Sequence, residues 1–472
     1  MNRRHFLELT ALAGVAAIAP AARCAPSGES IVNDVSDLNP VHVARVQRPR
    51  STDDVRVALR AWSGRVSVGG GRFSMGGQIA APDSLHLDMR AMNEIVSLDV
   101  AGRRVRVQAG TTWRDVLDRI DPHDLAVRVM QSYSNFTVGG SVSVNCHGRY
   151  VGKGPLVNSV RAVQIVTVDG EVLELTRERD SECFAGVFGG YGGLGVITEV
   201  ELDLDTNDAI ERRVHDVRLG DYPAFFRETI LRDPRVVLHN ADLTPPSFAW
   251  PRAISWMTTD RQVTVADRLI PRGLDYSLEQ NAIWVMTELP GGKLLREGIV
   301  DRINLAGKPV VWRNHEASLD TASLEPRTRS MSTYLLQEYF IPVGNFVPFA
   351  RRMAAILRER GVNALNVSIR HSPPDTQSLM RWAPTEVFSF VLYYKQLHTE
   401  AASRAASAWT RLLIDAALAN GGRYYLPYRR DATGAQFAKA YPEAGKFAAL
   451  KARVDPGRRL TNLLWDQYLP RR

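Results

Sequence analysis

From Arg50 onward the apolar positions of the chain switch repeatedly between helical spacing and strand-like runs. Ser51-Thr52-Asp53-Asp54 offers a capping residue and an acidic first turn ahead of Val55, Val57, Ala58, Leu59 and Trp62, which predicts a short helix. Arg65-Val66-Ser67-Val68 reads as a buried strand and runs directly into residues 69–78, where five of ten positions are glycine. Such a loop bends freely and can bring backbone N–H groups against an anion such as pyrophosphate, because no Cβ obstructs the approach. A strand-like Ala126-Val127-Arg128-Val129 precedes a second small-residue segment, residues 137–148. Its lack of bulk suits a wall against which a flat or phosphorylated ligand lies closely. Residues 160–168 and 171–175 are two β-rich runs around Asp169-Gly170, a strong hairpin signal. A third glycine segment, residues 187–198, holds a G-x-G-x-x-G match at Gly190, Gly192 and Gly195. That motif marks a dinucleotide fold only between a strand and a helix, and here a strand from Val196 follows it, so the Rossmann reading fails on context.

The N-terminus reads differently. Arg3-Arg4, followed by Phe6-Leu7, precedes an apolar run over residues 12–22 that is too short to span a bilayer. The pair resembles a twin-arginine export signal, a route taken by proteins already folded around a cofactor, and Ala19-Pro20-Ala21 supplies a small-residue cleavage site. Arg23 before Cys24 argues against a lipid anchor. The expectation is a soluble, exported, periplasmic protein with no transmembrane segment in its mature part.

Composition narrows the class. A length of 472 residues with 45% hydrophobic and 23% charged residues points to soluble, intertwined domains rather than one ordinary core. A net charge of +8, with arginines scattered and not interleaved with aromatics, indicates no nucleic-acid partner. Cys24, Cys146 and Cys183 form neither a metal-ligand pattern nor a disulfide framework, so no metal is expected.

The three glycine segments, in this order and spacing between residues 50 and 204, resemble the FAD-binding domain of the vanillyl-alcohol oxidase and para-cresol methylhydroxylase family. The implied fold is α+β: a two-subdomain FAD-binding domain with an α+β substrate cap built on an antiparallel sheet. The boundaries read as a signal at 1–26, the FAD domain at 27–204, the cap at 205–420 and a segment at 421–472 returning to the FAD domain. By resemblance Gly70, Gly71, Arg72, Phe73, Ser74 and Gln78 wrap the pyrophosphate. Thr137, Gly139, Gly140, Ser143, Asn145 and His147 lie along the flavin and ribityl chain, and Gly190, Gly195 and Ile197 close over the adenosine half. Many relatives attach flavin covalently through a histidine where this chain has Phe73, or a cysteine where it has Asn135, so noncovalent FAD is expected.

Within the cap, Gln337-Glu338-Tyr339-Phe340-Ile341-Pro342 resembles the E-Y-x-I-P strand of aldonolactone oxidases, whose acidic residue points into the active site. Asn366-Val367-Ser368-Ile369-Arg370 resembles the E-x-R strand of alditol oxidases, with Ser368 at the acidic position. Toward the end, Tyr425-Leu426-Pro427-Tyr428 resembles the closing step of lactone and decaprenylphosphoryl-ribose oxidases, with Tyr428 where their lysine stands and Arg429 and Arg430 beside it. Flavin oxidation of an alcohol needs a proton acceptor and positive charge near N1. Glu338 and His147 are the candidates for proton handling, with the choice between them open, while Arg370 would fix substrate oxygens and Tyr428 orient a hydroxyl. The implied substrate is a polyol, sugar or sugar lactone; a lipid-linked sugar, a 2-hydroxy acid, or flavin binding without turnover remain alternatives. Oxygen, a quinone or a cytochrome would accept the electrons.

Overall fold

A computed structural model describes residues 31–288, 307–326 and 328–469, so Arg3, Arg4 and Cys24 lie outside the described residues. The helix signalled at Ser51 is α1 (Thr52–Ala61). The Ser51 hydroxyl accepts from the Asp54 backbone and the Asp54 carboxylate answers on the Ser51 N–H. Its apolar stripe, Val55, Ala58 and Leu59, packs against Val66, Leu85 and Leu87. These belong to a parallel sheet ordered β3 (Arg45–Gln47), β5 (Leu85–Asp88), β4 (Val66–Gly69), after a short antiparallel pair, β1 (Ile31–Val32) and β2 (Val41–His42). The first glycine loop leaves the end of β4.

A second, antiparallel sheet runs β10 (Val172–Thr176), β9 (Val160–Val166), β11 (Val196–Thr206), β7 (Arg104–Gln108), β6 (Ile95–Asp99), and β8 (Leu125–Val127) pairs with the far end of β11. Gly170 turns the β9–β10 hairpin at φ +77°. The second glycine segment is a helix, α3 (Val138–Val144), introduced after α2 (Trp113–Ile120). The third is preceded by α4 (Ser181–Val187) and followed by β11, the reverse of the order that a dinucleotide fold requires.

The cap is one antiparallel sheet of eight strands: β15 (Val310–Trp312), β12 (Ala209–Asp216), β14 (Arg252–Thr258), β13 (Val236–Leu243), β17 (Ala364–Ser372), β18 (Val387–Leu397), β16 (Ser332–Pro342) and β19 (Arg423–Tyr424). Strand side chains alternate between faces. Leu335, Tyr339, Val367, Ile369, Phe390 and Leu392 therefore join one core with Phe349, Met353 and Leu413 of the helices Phe346–Glu359 and Glu400–Ala419. The opposite face carries Leu336, Glu338, Asn366, Arg370, Val391 and Tyr393 toward cavities. No helix among the described residues is long and apolar enough to cross a membrane.

The last fifty residues lace the two halves together. Leu460 bridges Val66 in parallel, with Val66 N donating to Arg459 O and Thr461 N to Val66 O. Trp465 Nε1 donates to Gly190 O at 2.9 Å and Asn462 Nδ2 to Tyr191 O at 2.8 Å. Lys451, 4% exposed, donates to Gly193 O, Leu460 O and the fully buried Asp455 carboxylate at 2.7, 2.7 and 2.9 Å. Lys451→Met keeps the stem but leaves Asp455 without its cation. The expected loss is about 3 kcal/mol of unfolding free energy, the cost typical of stranding one buried charge, read from denaturant titration of the variant beside the parent protein.

Candidate active site

Two cavities meet between the glycine segments and the cap sheet. Met89, Gly139, Ser143, Gly192, Gly195 and Ile197 border the first, and Arg72, Phe73, Thr137, His147, Glu338 and Tyr428 the second. Gly70, Ser74, Gly140 and Val144 line both, so the two form one trough. Its floor is low because it lacks side chains: a Cβ on Gly192 would meet nothing nearer than 3.9 Å, and one on Gly140 only Thr137 Oγ1 at 2.9 Å. Gly192 also sits at φ +71°, where other residues are strained. Gly71 N donates to Thr137 Oγ1 at 3.2 Å and ties the first loop to the second. Gln78 borders the trough, but its amide clamps the C-terminal segment, donating to the carbonyls of Leu426 at 2.6 Å and Tyr428 at 2.7 Å.

The cap brings the titratable groups. Strand pairing sets Glu338 of β16 opposite Val391 of β18, and Val391 opposite Ser368 of β17, with Arg370 two residues along on the same face. His147 comes from the other side, one turn beyond α3. The backbone there is held in the left-handed region at Asn145 (φ 50°), whose carbonyl accepts from Trp382 Nε1 at 2.9 Å, while Tyr425 OH donates to Val144 O at 2.9 Å. The imidazole packs on Trp382 and Phe340, ring centres 4.8 and 5.5 Å away. Its Nε2 then lies 2.6 Å from Glu338 Oε1, with the two side chains 5% and 2% exposed. Despite this approach the buried Oε1 completes no hydrogen bond, and the Glu338 side chain lines the cavity. Tyr428 is pushed well above the ordinary phenol range by burial and then by the Glu338 charge beside it, so it remains a protonated donor. Arg370 borders this cavity with its Nε buried and unpartnered, and no carboxylate lies within ion-pair distance among the described residues.

Two residues expected at the cofactor sit elsewhere. The Asn145 side chain points away from the trough, donating to Asp375 Oδ2 at 3.0 Å and accepting from Val157 N at 3.1 Å; its left-handed backbone turns the amide under the helix end. Gly190 serves the chain packing, since a Cβ there would lie 2.3 Å from Gly186 O, and Gly192 takes its place on the trough wall. The guanidiniums beside Tyr428 are also spent. Arg429 pairs with Asp431 at 2.7 Å, and Arg430 donates to Gly76 O and Gln467, so Arg370 alone of these three reaches the cavity. Lys395 pairs with Glu288. Trp382, which holds the Asn145 carbonyl, and Tyr133, which lines the cavity, are contributors that sequence reading missed, and Tyr425 was marked there only as part of the closing motif, with no role.

Similarity to known proteins follows the same map. Residues 43–176 match the family described as an FAD binding domain. These residues are an FAD-binding domain of the vanillyl-alcohol oxidase and para-cresol methylhydroxylase type. The chain is 32% identical to the alditol oxidase of a Streptomyces species over 164 residues, 34% of this chain and 38% of the relative. It is 32% identical to L-gulonolactone oxidase of Bos taurus over 158 residues, 33% and 36% of the two chains. With cytokinin dehydrogenase 2 of Arabidopsis thaliana it shares 31% identity over 179 residues, 37% and 36%. The chain thus spans little more than a third of the length of each relative.

The cofactor is FAD, and the residues present fit it. A trough floored by Gly140 and Gly192 accepts a long, partly flat ligand, and Glu338 and Arg370, each with a buried unsatisfied atom, line its cap end. Gly70, Ser74, Thr137, Gly140, Ser143 and Gly195 are the residues that would hold the FAD. Gly140→Leu places a branched side chain in the stretch common to both cavities while favouring the helix it sits on. The expected product is folded protein largely free of flavin, seen as a collapse of the 450 nm to 280 nm absorbance ratio with far-ultraviolet circular dichroism unchanged; full flavin content would remove this trough from consideration.

Proposed function

We propose that the protein is an FAD-dependent oxidoreductase that oxidises a CH–OH group of a polyol, sugar or sugar lactone. The observation that carries the reading is the buried pairing of His147 and Glu338 at 2.6 Å, on two side chains that line the cavity continuous with the FAD trough. When bound, FAD supplies the acceptor for the hydride leaving the carbinol carbon. Glu338, backed by His147, takes the hydroxyl proton on its carboxylate. Arg370 holds a substrate oxygen and offsets negative charge, and Tyr428, kept protonated, donates to the reacting oxygen. Trp382, Phe340 and Tyr425 keep water from the imidazole. The alditol and L-gulonolactone oxidases among its relatives support a CH–OH donor; oxidation of a lipid-linked sugar or a 2-hydroxy acid would use the same groups.

Glu338→Gln preserves shape and removes basicity. Stopped-flow reduction at saturating substrate is expected to slow by roughly 10²- to 10⁴-fold, the span of general acid–base residues, with FAD still bound. Arg370→Ala is expected to act chiefly on affinity, because a guanidinium anchors oxygens but is no base. Parent rate and affinity in Glu338→Gln would take Glu338 out of the chemistry.

The FAD is held without a covalent bond in the same proposal. Phe73 has no nucleophilic atom, the Asn135 amide is engaged with Asp320 and Thr321, and the Cys146 thiol is buried and pushed upward by that burial. Acid precipitation should leave free FAD in the supernatant, and a yellow pellet would contradict this. Export by the twin-arginine route completes the proposal: replacing Arg3 and Arg4 by lysine should strand flavin-loaded protein in the cytoplasm, whereas unchanged export would point to an ordinary secretory signal.

A further inference from the structure

Beyond Arg370 the active site opens into a second chamber of about 460 Å³ that shares Ser132, Tyr133, Leu336, Arg370 and Val391 with the first. Its floor is the cap sheet. Asp242 of β13 pairs in register with Ser368, Ser368 with Val391, and Val391 with Glu338, so the two carboxylates occupy opposite ends of one cross-strand row. Three strand spacings at roughly 4.8 Å separate them by about 14 Å, further than a single hexose-sized molecule reaches. Asn366 lies on the same face, two residues before Ser368, with its Oδ1 buried and unpartnered. Asp242 itself accepts from Asn240 Nδ2 at 3.3 Å and has no cation within ion-pair distance among the described residues. Facing this polar floor are Ile283, Met286, Leu319 and Leu324, with Glu279 at the edge of the same wall.

The pattern of charge excludes more than it admits. An anionic group in the chamber would be opposed by Asp242 and Glu279, which both line it, and a cationic one by Arg370, since Arg149 is already paired with Glu316 at 2.6 Å. A hydroxyl both donates and accepts, so it satisfies Asp242 and Asn366 Oδ1 as donor and Arg370 as acceptor. The apolar wall then meets the C–H faces that a sugar ring presents between its hydroxyls. We propose that Asp242, Asn366 and Ser368 form a distal subsite for a neutral polyhydroxylated unit, so that the substrate is disaccharide-sized rather than a single polyol or lactone. This rests on the oxidoreductase reading for the inner site and adds the class and size of the substrate.

The test uses the flavin-loaded enzyme and a matched series of a short vicinal diol, a hexitol, a disaccharide alditol and a hexitol bearing an alkyl chain of similar length. Affinity is read anaerobically from the perturbation of the oxidised flavin spectrum in Glu338→Gln, and reduction rate in the parent protein. The disaccharide alditol is expected to bind at least tenfold more tightly than the hexitol. Asp242→Asn and Asn366→Ala should each remove most of that gain while leaving hexitol affinity unchanged, since a hydrogen bond to a buried polar partner is worth roughly tenfold. Equal affinity for the hexitol and the disaccharide alditol, a gain from the alkyl chain instead, or a gain that survives both substitutions would overturn the subsite. Tighter disaccharide binding without any flavin reduction would support the subsite and defeat the oxidoreductase reading, so the two can fail separately.

Discussion

His147 and Glu338 reach each other from opposite halves of the molecule, and their 2.6 Å approach at 5% and 2% exposure exists only while the cap stays closed on the FAD-binding domain. Taking an imidazole and a carboxylate out of water costs several kcal/mol unless the surroundings fix both groups. That cost explains the density of the packing around them. Trp382 and Phe340 stack at 4.2 Å and enclose the imidazole, and Trp382 also holds the Asn145 carbonyl that aims it. Asp375 grips the Asn145 side chain from the same cap loop. The left-handed turn that delivers His147 is thus made in the FAD-binding domain and enforced by the cap.

The C-terminal segment performs a related task along the cofactor trough. It places Tyr428 beside Glu338 through a strand, β19, that belongs to the cap sheet, and then crosses to pair Leu460 with Val66. On the way it spends its charged groups on the loops: Arg430 on Gly76 O, Lys451 on Gly193 O, and Gln78 answering with two bonds to the segment itself. Each loop carbonyl so satisfied helps to hold a glycine-rich loop in its place along the trough. Among the described residues Arg370 has no carboxylate within ion-pair distance, whereas Arg429 and Arg430 beside Tyr428 are spent on Asp431 and Gly76, so the sheet rather than that pair brings positive charge to the site.

The polar side chains of the site also lie on the sheet. β17 presents Ser368, and carboxylates stand one strand away at Asp242 and two strands away at Glu338. Residues paired across strands share a face, so these carboxylates stand whole strand spacings apart on one polar floor.

Local signals in the sequence determined the capped helix at Ser51, the hairpin at Asp169-Gly170, the three glycine segments and the failure of the Rossmann reading, because each depends on neighbours within about a dozen residues. Glu338 and Arg370 were legible as members of alternating strands, but alternation says only that they share a parity, not which side of the sheet holds the cavity. That choice was made by the helices Phe346–Glu359 and Glu400–Ala419, which cover the other face. Tertiary structure likewise turned Asn145 away from the trough, put Gly192 where Gly190 was expected, withdrew Arg429 and Arg430 onto Asp431 and Gly76, and set Asp242 in line with Glu338. Each of those outcomes hangs on contacts between residues far apart in the chain, which no local periodicity encodes.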